Sequence, residues 1–327
     1  MRRIVVTGAS GFVGRHLVSA LCSALPDEDV VVGLSRQLPG PQEGRARSHA
    51  LDLTDRERVL AIIEDIRPTH VVHLAALSSV KQAETERVRM WESNTLPLLN
   101  LLDAAQRVGS CEAFLFVSSS EVYGRSFLAG VPLSEEAVPQ PSNSYARSKL
   151  VGESIVADVL SNTPVKSLVI RPFNHIGPGQ DERFVVASFA AQIARIERGA
   201  APVIRVGNLA SARDFLDVRD VVDAYVATIL HADRMPSGAI YNLCSGRSRT
   251  ISEILDQLLA LSDTSITIQT DPDRLRPSEI AEAVGDGALI RETLGWAPSR
   301  AWDETLRSIL DDARRRAGAH AGQRAPL

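Results

Sequence analysis

The stretch Arg3-Ile4-Val5-Val6-Thr7-Gly8-Ala9-Ser10-Gly11-Phe12-Val13-Gly14 combines a β-branched apolar run with glycines at every third position. The apolar residues that follow have helical spacing, so the pattern predicts a strand, a glycine turn and a helix; they are Leu17, Val18, Ala20 and Leu21. Gly8 allows the tight turn, Gly11 lets backbone approach a pyrophosphate, and Gly14 allows the helix to pack closely on the strand. Because the positive end of the helix dipole would face the phosphates, the stretch predicts a dinucleotide site.

Short apolar runs recur along the chain and alternate with helical stretches. This alternation is typical of a parallel sheet covered on both faces, so we predict an α/β, doubly wound fold of the Rossmann type. The runs are 4–6, 30–34, 71–74, 114–117 and 168–170, with a later one at Ala239–Leu243. Segments 35–50 and 132–144 are rich in turn-forming residues and are predicted as loops, the second bordering the active site.

The regular alternation loosens after Phe173, which predicts a second, smaller domain interleaved with the first. We assign residues 1–172 and 215–245 to the dinucleotide-binding domain, and 173–214 with 246–316 to a nucleotide-sugar-binding domain. Residues 317–327, which follow a basic run, are predicted to form a disordered tail.

The composition is that of an ordinary globular protein, with 327 residues, 44% apolar and 23% charged. A net charge of −4 offers no basic field for nucleic acid. Cys22, Cys111 and Cys244 are scattered without the spacing of a disulfide framework or a zinc site, so no metal is predicted and a cytoplasmic location is expected. The early first strand leaves no room for a signal peptide, and no apolar run reaches the ~18 residues of a membrane span.

A second motif, Tyr145-Ala146-Arg147-Ser148-Lys149, places a phenol and an ammonium four residues apart. On a helix they share one face, about 6 Å apart along the axis. We expect the ammonium to lower the phenol pKa from its usual ~10, which would make Tyr145 a proton donor to a carbonyl. An isolated Tyr-x-x-x-Lys pair is often only two ordinary surface residues. Its position after the glycine turn and after Val117-Ser118-Ser119-Ser120-Glu121-Val122-Tyr123-Gly124, at a predicted strand end, favours catalysis.

These three elements together resemble the extended short-chain dehydrogenase/reductase family, and the resemblance runs from residue 1 to about residue 316. It implies an NAD(P)-dependent oxidoreductase that acts on a nucleotide sugar. It also implies that Ser119 holds the substrate carbonyl or hydroxyl while Tyr145 and Lys149 perform the chemistry. Members usually form a homodimer through a four-helix bundle, made by the helix of Tyr145 and a long helix near residues 80–107.

Three later segments resemble the members that act on GDP-mannose derivatives: 171–180, from Arg171-Pro172-Phe173-Asn174 to Gln180; 206–215, which ends Arg213-Asp214-Phe215; and 271–279. The resemblance implies a GDP-linked 4-keto-6-deoxy sugar, reduced at C4. Asn174 would bind the sugar, Arg213 and Arg276 the diphosphate, and Glu279 the GDP ribose. The chemistry is suitable, because guanidinium forks pair with phosphate and a carboxylate accepts from both ribose hydroxyls.

Glu121 keeps an alternative open. In the related GDP-mannose 4,6-dehydratases a glutamate at this place moves the C5 proton and assists the loss of water. The serines before Glu121 and the Ile-Gly-Pro-Gly run of 176–179 favour the reductase. Another nucleotide-sugar epimerase or dehydratase, or a dinucleotide-binding sensor, remain further alternatives; a sensor is disfavoured because Ser119, Tyr145 and Lys149 are all present.

The cofactor preference depends on the end of the second strand, Gly33-Leu34-Ser35-Arg36. An acidic residue there would bind both ribose hydroxyls and repel a 2′-phosphate. A hydroxyl and a guanidinium instead suit the phosphate, so NADP(H) is favoured, with NAD(H) as the alternative. Asp52 is expected near the adenine; otherwise it is a turn residue before Thr54-Asp55.

The candidate site residues fall into three groups. The catalytic group is Ser119, Tyr145 and Lys149. The substrate-binding group is Ser119, Ser120, Glu121, Asn174, Arg213, Arg276 and Glu279. The cofactor-binding group is Gly8, Ser10, Gly11, Phe12, Val13, Gly14, Ser35, Arg36, Asp52, Leu53, Leu74, Ala75, Ala76, Val117, Ser118, Tyr145, Lys149, Pro172 and His175.

Overall fold

The strand that precedes the glycine turn lies inside a seven-stranded parallel sheet. The computed structural model describes residues 1–38, 46–78, 85–275 and 280–322. The sheet has the order β10-β6-β5-β4-β1-β2-β3. Its strands are β1 Arg3–Thr7, β2 Val30–Ser35, β3 Arg47–Ala50, β4 His70–His73, β5 Ala113–Val117, β6 Lys166–Pro172 and β10 Ala239–Leu243. The chain order reverses at β1, which pairs with β2 on one side and β4 on the other, so a crevice opens at its carboxyl end.

Helices cover both faces of this sheet, which confirms the doubly wound fold. Side chains alternate along a strand, so Ile4 and Val6 of β1 face one core cluster and Val5 faces the other. α1 and α6 belong to the first cluster; α2, α3 and α4 belong to the second. These helices are α1 Phe12–Ala24, α2 Arg56–Ile66, α3 Arg87–Arg107, α4 Ser144–Leu160 and α6 Val218–Leu230.

A second group of elements follows β6 and has its own core cluster, with α5, α7 and α9 around it. β9 Ala212–Asp217 is its central strand and pairs with β7 Asn174–Ile176, β11 Ser248–Thr250 and β13 Glu282–Ala283; β8 Val203–Val206 pairs with β12 Thr267–Thr270. The remaining helices are α5 Val185–Ile196, α7 Ile251–Leu259, α8 Ala288–Leu294 and α9 Trp302–Gly322. Single 3₁₀ turns lie at Ser120–Tyr123, Arg125–Ala129, Ala232–Arg234 and Pro272–Arg274.

The predicted domain boundary at residue 215 falls inside β9, whose residues on both sides of it pair within the second sheet. The segment 35–50 is not entirely a loop, because residues 47–50 form β3 and pair with the end of β2. Segment 132–144 is a loop up to residue 143, and α4 begins at Ser144. None of the helices in the described ranges is long and apolar enough to cross a membrane.

The predicted disordered tail is wrong for residues 317–322, which continue α9. The basic run before them is held by ion pairs that composition alone did not reveal. The guanidinium of Arg314 donates to both carboxylate oxygens of Glu197, at 2.8 and 2.7 Å, and Arg316 pairs with Asp312 one turn earlier. The bond from Arg314 lowers the pKa of Glu197, which indicates that the pair favours the folded state. Residues 323–327 lie outside the described ranges.

Gly14 is a position where only the absence of a side chain permits the fold. A Cβ there would lie 2.2 Å from the carbonyl oxygen of Gly8 and 2.8 Å from the Cα of Ala9. We expect Gly14→Ala to lower the free energy of unfolding by about 1–3 kcal/mol, because backbone must shift. Urea unfolding measures the change.

Gly318→Ala is the matched control, since it is also helical and its Cβ would lie no closer than 3.7 Å to Arg198. Alanine improves helix propensity by about 1 kcal/mol, so this variant should be equal to or more stable than the wild type. Equal stability of the two variants would contradict the close packing of α1 on β1.

Candidate active site

The glycine turn forms a cradle of backbone at the end of β1. Gly8 has a φ of 70°, which side-chain-bearing residues rarely adopt, and its N–H donates to the Leu34 carbonyl at 2.8 Å. A Cβ on Gly11 would lie 3.0 Å from the Gly8 carbonyl oxygen. Gly11 is the N-cap residue immediately before α1 and, within the described residues, no side chain caps the helix there. Uncapped amides at the positive end of a helix suit a pyrophosphate, so the turn fits a dinucleotide.

Ser35 and Arg36 at the end of β2 have different roles. Ser35 is 6% exposed, and its Oγ accepts from the Ser10 N–H at 2.9 Å, so it holds the glycine turn. Arg36 is exposed and close enough to Asp52 for its charge to lower the pKa of that carboxyl, after the larger effect of hydrogen bonds from Thr54. Asp52 accepts from the Thr54 N–H at 2.9 Å and hydroxyl at 2.8 Å, as expected of a turn residue. Arg36 is therefore the better placed of the two for a 2′-phosphate.

Thr7, at the end of β1, binds the loop after β4 that contains Leu74, Ala75 and Ala76. The Thr7 hydroxyl lies 2.9 Å from Nδ1 of His73 and accepts from the Ala75 N–H at 3.2 Å. Burial lowers the pKa of His73 to about 3, so its ring is neutral. The Nδ1 of a neutral ring can accept a hydrogen bond from the Thr7 hydroxyl while the Thr7 oxygen accepts from the Ala75 N–H. This contact fixes the loop beside the glycine turn.

Asn94 is a site residue that the sequence analysis missed. Its Oδ1 accepts from the Leu77 N–H at 2.8 Å, and its Nδ2 donates to the Ser148 hydroxyl at 2.9 Å. It therefore joins the loop after β4 to α4, the helix that carries Tyr145. Asn94 is one of two asparagines, with Asn100, at buried positions of the mostly apolar inner face of α3, and this was the available signal.

Tyr145 lies on the first turn of α4, which begins after Asn143. The Asn143 Oδ1 accepts from the Ala146 N–H at 2.8 Å and caps the helix. The Ser119 hydroxyl lies close enough to Tyr145 to lower its pKa, so two of the three predicted catalytic residues lie side by side. Ser119 itself is 8% exposed and lies two residues beyond the end of β5.

The predicted lowering of the Tyr145 pKa is wrong. Burial raises the pKa of Tyr145 to about 12, the nearby Ser119 hydroxyl opposes this, and the carboxylate of Glu121 raises it further. The Lys149 ammonium is directed elsewhere: Nζ donates to the Val117 carbonyl at 2.7 Å and lies 5.0 Å from the ring centroid of Phe116. Tyr145 therefore stays protonated at neutral pH, which is the form that donates a proton.

Lys149 is 4% exposed, and burial lowers its pKa to about 8, with Glu153 opposing the shift. Glu153 lies one turn further along α4 and was not among the predicted site residues. It forms a buried ion pair with Arg171 of β6, in which Nε donates to Oε1 at 2.9 Å and Nη2 to Oε2 at 2.6 Å. The spacing of Lys149 and Glu153, four residues apart on one helix, was the available signal.

Glu121 lies close to both Tyr145 and Arg213. The charge of Glu121 acts on the pKa of both residues. Its Oε2 accepts from Nδ2 of Asn143 at 3.2 Å, which ties the carboxylate to the first turn of α4. The Arg213 guanidinium donates to the backbone carbonyls of Ala212, Ala281 and Ile280, and burial lowers its pKa. The second sheet thus brings a cation to the end of β5.

The remaining predicted residues are distributed around this centre. Nδ1 of His175 donates to the Phe173 carbonyl at 3.0 Å, and its ring stacks on Phe12, with centroids 6.1 Å apart. His175 therefore lies against the glycine turn. Asn174 is exposed at the start of β7 and pairs in register with Phe215, while Ser120 is buried. Arg276 and Glu279 lie outside the described residues.

The comparison with protein families assigns the chain to one of them. The family model described as GDP-mannose 4,6 dehydratase matches residues 5–309. The chain belongs to this family of extended short-chain dehydrogenases/reductases. The match covers both sheets and every described residue of the candidate site.

Individual relatives in the family have different activities in their names. A GDP-6-deoxy-D-mannose reductase of Pseudomonas aeruginosa is 38% identical, covering 95% of this chain and 97% of the relative. A GDP-6-deoxy-D-talose 4-dehydrogenase of Aggregatibacter actinomycetemcomitans is 28% identical, covering 90% and 91%. Among solved structures, RMD from Pseudomonas aeruginosa complexed with NADPH has a TM-score of 0.84 at 36% identity, covering 97% of this chain and 100% of that one.

Proposed function

We propose that this protein uses NADPH to reduce the C4 keto group of GDP-4-dehydro-6-deoxy-D-mannose, which produces GDP-D-rhamnose. The observation that carries the reaction type is a phenol at Tyr145 that lies beside Ser119 and is kept protonated by burial. The 38% identity to a GDP-6-deoxy-D-mannose reductase along almost the full length supports the substrate. Reduction of a ketone requires a proton donor in its acid form, and Tyr145 has that form at neutral pH.

In this mechanism the residues of the chain bind, orient and protonate. When bound, NADPH supplies a hydride for C4. Tyr145 donates its proton to the developing alkoxide at O4, while the Ser119 hydroxyl donates a hydrogen bond to the same oxygen. Lys149 holds the nicotinamide ribose, and its charge stabilises the phenolate that Tyr145 becomes. Tyr145 must recover a proton before the next turnover.

The residues that would hold NADPH are those that form the crevice at β1. The backbone of Gly8 and Gly11 faces the pyrophosphate, and Phe12 with His175 closes the turn on one side. Arg36 pairs with the 2′-phosphate, because a guanidinium binds phosphate well and β2 ends without an acidic residue. The NADPH in the Pseudomonas RMD structure supports this choice; NADH is the alternative cofactor to test.

The substrate lies between Tyr145 and the second sheet in this proposal. Arg213 binds the diphosphate, and Asn174 together with Ser120 and Glu121 contacts the sugar. Arg213 is suitable because it is a partly buried cation whose pKa is lowered by burial, so an anion beside it would stabilise its charge. Arg276 and Glu279 stay predicted ligands of the diphosphate and the GDP ribose.

A GDP-mannose 4,6-dehydratase is the second candidate function, and Glu121 is the observation that favours it. Its carboxylate lies close enough to Tyr145 to influence the phenol pKa, as a group that moves the C5 proton would. The hydrogen bond from Asn143 gives Glu121 a different use, since it orients the carboxylate against α4. That use is compatible with a reductase, in which the carboxylate contacts the sugar without exchanging a proton.

A paired assay separates the two functions. Purified protein is incubated with GDP-mannose and NADP⁺ and, separately, with GDP-4-dehydro-6-deoxy-D-mannose and either NADPH or NADH, and NMR identifies the products. We expect turnover only in the second mixture, faster with NADPH, with H4 couplings of a rhamnose. Formation of the keto sugar from GDP-mannose would establish the dehydratase. H4 couplings of a 6-deoxytalose would show that the hydride reaches the face of C4 opposite to the one that gives rhamnose.

Tyr145→Phe should lower kcat about 10²–10⁴-fold, because it removes the proton donor while the ring still fills its place. Tyr225→Phe is the matched control, since the Tyr225 hydroxyl is buried and, among the described residues, has no hydrogen-bond partner. We expect the control to keep kcat within about two-fold and to be at least as stable. Near-normal turnover by Tyr145→Phe would sink the assignment of Tyr145.

We also propose a homodimer through α3 and α4. These helices pack side by side, and their outer faces expose Leu96, Leu99 and Val151. Pairing two copies would bury these side chains in a four-helix bundle. Leu99→Arg should give a monomer, as measured by light scattering. Leu289→Arg, at an equally exposed leucine of α8, should leave the dimer intact. A wild-type monomer would exclude the bundle.

The expected cytoplasmic location belongs to the same proposal. Within the described residues, no disulfide joins Cys22, Cys111 and Cys244. Chains that keep their cysteines reduced are typical of reducing compartments. GDP-linked sugars and NADPH would be available there as substrates.

A further inference from the structure

Three side chains on one face of α4 contact three consecutive residues at the end of β5. Tyr145 lies beside Ser119, Lys149 donates to the Val117 carbonyl at 2.7 Å, and Glu153 accepts from the Ser118 hydroxyl at 2.5 Å. Tyr145, Lys149 and Glu153 are four residues apart, so they share this face. The first two have roles in the proposed mechanism. Glu153 has none, although it is the most firmly bound of the three.

The Glu153 carboxylate is bound from two elements, and a hydrogen-bond chain through Arg171 connects it to a third. Ser118 donates from the end of β5, and Arg171 of β6 donates to both carboxylate oxygens. The free Nη1 of Arg171 donates to the hydroxyl of Tyr123 at 3.0 Å, and that hydroxyl donates to Oδ1 of Asn242 in β10 at 2.7 Å. Glu153 is 7% exposed and Arg171 is 3% exposed, so neither can rotate into solvent without breaking this network.

We propose that Glu153 is a positioning residue for the reaction: bound by Arg171 and Ser118, its carboxylate keeps Lys149 charged and holds Lys149 and Tyr145 in register with the end of β5. The inference rests on the proposed function, since it concerns the same Tyr145 and Lys149. It adds a residue that contacts neither substrate nor cofactor.

The charged and titratable groups around Lys149 single out Glu153. From β4, His73 is neutral because burial lowers its pKa to about 3. On α4, Tyr145 is neutral, and from β6 the charge of Arg171 is matched by Glu153 itself. From β5, Lys149 meets only the Val117 carbonyl and the Phe116 ring. Among the described residues, Glu153 is thus the charge that opposes the effect of burial on Lys149.

The consequence for activity has a definite direction. Lys149 carries its charge below its pKa, so a step that needs the ammonium slows as pH rises through about 8. Removal of the Glu153 charge lets burial lower the pKa of Lys149 further, so the loss of rate moves to lower pH. A residue that only supported the fold would change stability and leave the midpoint of this loss in place.

The test compares Glu153→Gln with Glu153→Asp in the pH dependence of kcat. We expect Glu153→Gln to shift the falling limb down by about one pH unit, so that kcat at pH ~8 falls about five-fold more than at pH ~6. KM for the keto sugar should change little, because Glu153 does not contact it. Glu153→Asp keeps the charge and should keep the limb near its wild-type position.

The double variant Glu153→Gln with Arg171→Met covers the case in which the single variant folds poorly. It removes both buried charges, so no unpaired Arg171 remains, and its thermal stability should recover towards the wild type. In this double variant the falling limb of the pH dependence of kcat should still lie at lower pH than in the wild type. A wild-type limb in Glu153→Gln and in the double variant would overturn the proposal.

An NMR titration makes the result independent of the substrate. The chain contains three lysines, so ¹³C-labelled lysine gives few signals, and a Lys166→Arg variant helps to assign Lys149. A lower Lys149 pKa in Glu153→Gln than in wild type supports the proposal even if no GDP-linked sugar is turned over, which would reject the proposed function alone. An unchanged Lys149 pKa rejects the inference whatever the substrate.

Discussion

The ion pair between Arg171 and Glu153 is the constraint on which the site depends. Two charges withdrawn from water are costly, and their attraction compensates only when geometry and additional hydrogen bonds are good. Both conditions hold here: the guanidinium binds the carboxylate through two bonds, while Ser118 and Tyr123 satisfy further positions. Because the partners come from β6 and α4, the catalytic helix can occupy only one register against the sheet.

The same burial that makes this pair costly prepares the proposed chemistry. It raises the pKa of Tyr145 to about 12 and lowers that of Lys149 to about 8, so at neutral pH the phenol keeps its proton and the amine its charge. A reductase needs both forms. The two residues therefore acquire their proposed roles from low exposure, with Ser119 and Glu153 moderating the shifts, more than from an interaction with each other.

The sequence predicts what is local and misses what depends on packing. The glycine turn and the runs of the parallel sheet follow from short patterns, and the structure confirms them. The sign of the Tyr145 shift could not be predicted, because the Tyr-x-x-x-Lys spacing does not show that Lys149 donates to Val117. The hydrogen bond between Ser10 and Ser35 likewise joins residues distant in sequence. So does the bond from Arg314, in the basic run before the predicted tail, to Glu197.

A short link between the two sheets connects the proposed substrate-binding strands to the proposed catalytic residues. β6 ends at Pro172 and β7 begins at Asn174, so Phe173 alone separates the strand of Arg171 from the second sheet. Phe173 packs against Phe127 and Tyr123, with ring centroids 6.0 and 6.5 Å apart, and Tyr123 bonds to Arg171. A movement of β7 relative to β6 would disturb this aromatic cluster and, through it, the ion pair. The network around Lys149 and Tyr145 therefore also fixes the position of β7 and its partner β9, the strand that carries Arg213, which the proposed function assigns to the substrate.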